Sequence, residues 1–122
     1  MPRIKRDAAR EERITMEIIV DAYGSDEQAM GWYCYLDEKL NFPFLAKCIA
    51  ERATSPLRKG DEVQVVGIAP EDECRHEMYV AIPWERRTLC VPLSQLKGIS
   101  VDEKTQDAIE DWRYWVTQGY EL

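Results

Sequence analysis

The chain has no apolar run long enough to cross a bilayer, so no helical membrane span organises it. It holds one histidine, His76, and neither a Gly-x-Ser-x-Gly turn nor a recognisable cysteine nucleophile motif, which leaves acyl transfer without its machinery. No glycine-rich loop is available to cradle a phosphate. The four cysteines, Cys34, Cys48, Cys74 and Cys90, include no Cys-x-x-Cys pair. Cys74-x-His76 offers two zinc ligands, but no second pair has matching spacing. Each cysteine lies in or beside an apolar segment, as buried reduced thiols do, and a reducing cytoplasm is the expected location. The N-terminal MPRIKRDAAREER starts basic but has no apolar core after it, so it does not read as a secretory signal.

Positive charge is also scarce. Lys and Arg total 16 against 23 Asp and Glu, a formal charge of −7. Phosphate binding relies on clustered Lys and Arg, so nucleic acid is not an expected partner; cations or basic protein surfaces are. The EF-hand pattern D-x-[DN]-x-[DN]-G-x5-E is absent as well. Any calcium site must therefore collect its oxygens from separate segments.

What the sequence does contain is one domain's worth of chain, 122 residues, with 45% hydrophobic and 10% aromatic residues. Residues 1–13 carry five of the 16 basic residues and read as a mobile, frayed end or the first turns of a helix. Ile14, Ile18, Ala22 and Tyr23 follow at helical spacing, and Gly24 stops that helix. A second helix is expected from about Asp26 to Leu40, capped by Ser25 or Asp26, with Ala29, Met30, Tyr33, Leu36 and Leu40 as its apolar stripe. Beyond Pro43 the pattern alternates: Phe44, Ala46, Cys48 and Ala50 share one face of a strand. Further strands are expected over Glu62–Ile68, Glu77–Trp84 and Thr88–Leu93, the last two as a hairpin, followed by one helical turn. A final helix opens at Asp102-Glu103 and buries Ala108, Ile109, Trp112 and Val116. The expected class is α+β: two N-terminal helices, a small curled antiparallel sheet of SH3-like barrel type, and one C-terminal helix.

The stretch with unusual chemistry is Ala69–Trp84, where Glu71, Asp72 and Glu73 stand in a row before a strand. Carboxylates offer only acceptors and repel one another unless water, a basic neighbour or a cation relieves them. Asp37 and Glu38 sit in the last turn of the second helix, at the negative end of its dipole, where each costs about 0.3–1 kcal/mol unless compensated. Lys39 or a metal can compensate, and Asn41 adds an oxygen. Calcium accepts six to eight oxygens in irregular geometry, which suits such loops better than the strict octahedron of magnesium. Acid/base catalysis by the paired carboxylates is not expected, because an exposed loop does not raise their pKa values. The protein reads as a non-enzyme.

The order of segments adds to this. GWYCYLDEKLNFPF, SPLRKGDEVQVVGIAPEDECRHEMYV and RTLCVPLSQL…AIEDWRYW together resemble the bacterial (cyanobacterial CcbP-like) calcium-binding protein family, from about Ile14 to Tyr120. The resemblance implies Ca2+ binding outside the EF-hand scheme and a role as a cytoplasmic calcium buffer or sensor. It implies Asp37, Glu38, Glu71, Asp72 and Glu73 as ligands, with Asp111 and Asp21 as weaker candidates. The competing expectation is an SH3-like interaction module that binds a peptide, from an unidentified protein partner, through a groove of Trp32, Tyr35, Trp84 and Trp115. Buried tryptophans would favour the first reading and an exposed aromatic groove the second.

Overall fold

The computed structural model describes residues 7–20, 22–120 and 122. Ala8–Arg13 form α1, capped by the Asp7 side chain, which accepts from the Arg10 N–H at 3.0 Å. The chain end from residue 8 thus takes the helical option. A π-helical turn, Ile14–Ile18, continues it and buries Ile14 and Ile18. The helix expected to run on to Tyr23 stops here, and Asp21, one of the weaker ligand candidates, lies outside the described residues. α2 spans Ser25–Lys39; its cap position is Gly24, so neither Ser25 nor Asp26 caps it. Its buried side is Ala29, Trp32 and Leu36, continued by Leu40, whereas Met30 is 41% exposed. The apolar stripe is therefore centred on Trp32, because the indole buries far more area than a methionine two residues earlier, which lies on nearly the opposite face.

Six strands follow: β1 (Phe44–Cys48), β2 (Glu62–Val65), β3 (Gly67–Ile68), β4 (Tyr79–Trp84), β5 (Arg87–Pro92) and β6 (Leu96–Ile99). β1 is the centre of one antiparallel sheet, with Ala46 opposite Val63 on one side and Gly98 on the other. β4 is the centre of the second, between β3 and β5. The segment expected as a single strand, Glu62–Ile68, serves both sheets. It bends at Val66, which is exposed while Val65 is fully buried. The change of apolar face between Val65 and Val66 is the mark of that bend. No ladder joins the two sheets into a closed barrel among the described residues, so the expected single SH3-like barrel gives way to two three-stranded sheets. The β4–β5 hairpin has a two-residue turn in which Glu85 and Arg86 both take positive φ, 46° and 70°. That handedness matches the twist of the flanking strands.

α3 (Glu103–Thr117) is capped by Asp102, which accepts from the Thr105 N–H at 3.4 Å. The helix buries Ala108, Ile109, Trp112, Tyr114 and Trp115. Trp32 meets Trp112 edge-on at 5.0 Å between ring centroids, and Trp112 stacks on Trp115 at 5.5 Å. Beside this aromatic cluster lies Asp111, with no solvent exposure at all. Arg13 donates to it through both Nε (3.1 Å) and Nη2 (2.6 Å), Arg10 through Nη1 (2.5 Å), and the Tyr35 hydroxyl at 2.7 Å. One carboxylate thus joins α1, α2 and α3.

Burial, then the bond to Asp111, raises the Tyr35 pKa well above its ordinary value near 10. The folded state then prefers the neutral phenol, so this contribution is full below about pH 10 and is lost as pH rises above it. Tyr35→Phe should cost about 1.5–3 kcal/mol at neutral pH by removing a bond to a charged acceptor, and should flatten the alkaline fall in melting temperature. A second site is Gly31, where an added Cβ would run into the Ile18 carbonyl oxygen. Gly31→Ala should destabilise by about 1–3 kcal/mol in denaturant unfolding, since backbone must move to admit the methyl group.

Candidate metal centre

The acidic run folds as a single 3-10 turn, Glu71–Glu73, opened by Pro70 and without a side-chain cap. All three carboxylates are exposed. Proline fixes the entry to the turn, and the backbone closes it through Glu73 N–H to Pro70 O at 2.9 Å and Cys74 N–H to Glu71 O at 3.0 Å. Behind it the fully buried Cys74 accepts from the Tyr79 N–H at 3.4 Å. Burial pushes the Cys74 thiol up, with Cys90, Glu73 and Asp72 adding to the rise against that hydrogen bond. A thiol so held stays neutral and packs; it is a poor nucleophile and a poor zinc ligand. No disulfide forms, and the expectation that all four cysteines are buried fails for Cys34 and Cys90, which are exposed.

The turn faces α2 across a cleft of about 500 Å³, lined by Asp26, Ala29, Met30, Tyr33, Glu71, Asp72, Cys74 and Arg75. Asp26 is the residue that sequence reasoning missed. It stands in the first turn of α2, where a carboxylate complements the dipole, and so it raised no alarm. Tyr33 joins this cleft to the far end of the helix. Its phenol is raised first by burial, then by the charges of Asp37, Cys74, Glu71 and Cys34. Asp37 and Glu71 thus both act on the same phenol.

The five expected ligands do not converge on one point. Glu71 and Asp72 line the main cleft, whereas Asp37, exposed near the end of α2, is not among its lining residues. Glu73 turns toward a neighbouring cleft of about 410 Å³ with Asp72, Arg75, His76, Tyr79 and Cys90. Glu38 lines a different one, about 360 Å³, with Arg13, Glu17, Tyr35, Lys39, Lys104 and Asp107. Its Oε1 is 3.8 Å from Lys39 Nζ, so the lysine answers the carboxylate as a base at a helix end can. Asp111 is occupied by two guanidinium groups and a phenol. Among the described residues no three His, Cys, Asp or Glu side chains are grouped to hold a metal ion. In kind, the donors of the main cleft fit a hard cation: Asp26, Glu71 and Asp72 supply carboxylate oxygens only. In position they form a rim and not a finished cage.

The fold and cleft define an acidic α+β domain whose carboxylates face one another across a groove beside a helix. A family model described as calcium binding, Calci_bind_CcbP, matches residues 12–116, and the chain belongs to that family. The crystal structure of Anabaena CcbP is 43% identical over 100% of both chains and superposes with a TM-score of 0.86. A calcium-binding protein in its calcium-binding form is also 43% identical, over 96% of each chain, with a TM-score of 0.84. No curated protein matches the chain significantly.

Asp111→Asn separates the two kinds of carboxylate. Leaving both arginines without their anion should cost roughly 3 kcal/mol, the low end for a broken buried pair, because both guanidinium groups reach solvent. Calorimetry on the folded variant should find calcium affinity unchanged. Lost affinity in a variant that still melts cooperatively would return Asp111 to the ligand set.

Proposed function

We propose that this protein binds calcium reversibly through carboxylates drawn from separate segments, without catalysis, as a cytoplasmic buffer or sensor. The observation that carries this reading is the cleft in which Glu71 and Asp72 face Asp26 beneath Tyr33, in a chain of the calcium-binding family. Two similar chains point the same way, one of them solved as a calcium-binding protein in its calcium-binding form. Glu71 and Asp72 are the inner ligands with Asp26 opposite them, Asp37 and Glu73 stand at the margins, and Glu38, which lines a separate cleft beside Lys39, would bind an ion apart from them. The ion brings the positive charge that the turn itself lacks. Carboxylates now held apart by repulsion can close on it, with backbone carbonyls and water completing six to eight oxygens. The cost of exposing three like charges in one short turn is then offset when calcium is present.

The aromatic-groove reading has less support. Trp32 and Trp115 are 0% and 4% exposed, Tyr35 is spent on Asp111, and only Trp84 keeps partial access. Among the described residues no helix is long and apolar enough to cross a membrane.

The test is a calcium titration by calorimetry on chelator-stripped protein, with magnesium in excess. Saturable binding that survives magnesium is expected, and Asp72→Asn should weaken it by about tenfold without changing the melting temperature of the ion-free protein. Unchanged affinity in that variant would count against the ligand set.

A further inference from the structure

From Ile14 to Glu38 the sequence contains no Lys, Arg or His and six carboxylates, Glu17, Asp21, Asp26, Glu27, Asp37 and Glu38. The same stretch is where the protein exposes its apolar side chains. Seven large hydrophobics are exposed among the described residues, and Met16 (63%), Val20 (51%), Tyr23 (89%) and Met30 (41%) fall within residues 16–30. Single exposed apolar residues are ordinary, but four in so short a stretch are not. They lie on two pieces of chain packed together. The close approach of the Ile18 carbonyl to Gly31 brings the end of the π-helical turn against α2 next to Met30. Tyr23 is held near the start of α2 by its N–H, which donates to Glu27 Oε2 at 3.3 Å. Met30 also lines the main cleft beside Asp26, Glu71 and Asp72.

We propose that this face is a docking surface for a basic amphipathic helix, and that calcium in the adjoining cleft weakens the docking. The second clause rests on the calcium reading above; the first does not. Charge selects the occupant. Apart from Arg75 in the main cleft, the charged groups bordering the strip are carboxylates; they repel acidic partners and complement a helix with apolar residues on one face and Lys or Arg beside them. Two methionines suit such a strip, since unbranched thioethers repack around differing side chains. A second copy of this acidic chain is disfavoured, because its charge repels itself. The antagonism follows from shared carboxylates. Asp26, Glu71 and Asp72 attract either the ion or the basic flank of the helix, and each occupant lowers the affinity for the other by the same factor.

The test uses the full chain and two labelled synthetic peptides of equal charge and length. One is a Lys/Leu sequence with amphipathic helical spacing, the other a Lys/Ser sequence. Fluorescence anisotropy in chelator should show the Lys/Leu peptide binding and the Lys/Ser peptide at least about tenfold weaker. Met16→Ser with Tyr23→Ser, two exposed positions outside the lining of the calcium cleft, should weaken the Lys/Leu peptide by about tenfold while leaving calcium calorimetry unchanged. Saturating calcium should weaken it by roughly fivefold. Equal binding of the two peptides, or no binding while calcium still titrates, overturns the docking surface and leaves the calcium reading standing. Peptide binding in a protein that takes up no calcium supports the docking surface and sinks the calcium reading. Peptide affinity indifferent to calcium, in a protein that does bind calcium, overturns the antagonism. A concentration-dependent dimer that Met16→Ser with Tyr23→Ser dissolves would overturn the choice of occupant.

Discussion

Burying one carboxylate of Asp111 constrains the whole helical layer. An ionised group taken out of water is costly unless its lone pairs are filled, and Asp111 has its lone pairs filled by Arg10, Arg13 and Tyr35. Because those donors come from α1, from the junction with the π-helical turn, and from α2, satisfying the charge determines where each lies against α3. The planar guanidinium of Arg13 matches both oxygens at once, so direction is specified as well as distance. The edge-to-face and stacked tryptophans beside it then supply the apolar burial that a charge cluster alone does not.

That arrangement has a result at the surface. With Trp32, Leu36 and Leu40 turned inward, the opposite side of α2 presents Asp26, Met30 and Asp37, and the acidic turn between β3 and β4 faces it. The two sheets matter in the same way. Because β3 belongs to the sheet centred on β4, the chain enters the turn from a hydrogen-bonded edge and leaves it into the central strand. The carboxylates therefore project from a 3-10 turn within the connection between two paired strands.

Much of the framework was legible from periodicity. The alternation Phe44, Ala46, Cys48 appears as a strand with those three buried, the two-residue hairpin falls where polar residues separate two apolar runs, and α3 opens at Asp102 as its cap chemistry requires. What escaped was whatever depends on partners distant in sequence. β6 holds Lys97 and Gly98, which carry no strand signal, and exists because β1 offers it an edge. The stripe on α2 was drawn through Met30 and not Trp32 because both read as apolar, and only the facing Trp112 decides between them. Asp111 sits among aromatics in the sequence and gives no hint that two arginines about a hundred residues earlier will meet it. The candidate ligands were legible as charge in Glu71, Asp72 and Glu73, while Asp26 was hidden by a helix start that explains any acid. Their separation into three clefts is a property of the packed molecule.

The Ala69 N–H donates to the Tyr79 carbonyl at 3.0 Å, and the Tyr79 N–H returns to the Cys74 sulfur within the same segment. The acidic turn is therefore tied off at its base before any ion arrives. Ordering free backbone costs about 1–2 kcal/mol per residue, and a strand-tethered turn has already spent most of that freedom during folding. What remains to be fixed around a cation is the rotamers of a few carboxylates. Affinity in such a turn is governed by how many side chains the ion must immobilise, and an untethered segment with the same acids would be the weaker binder.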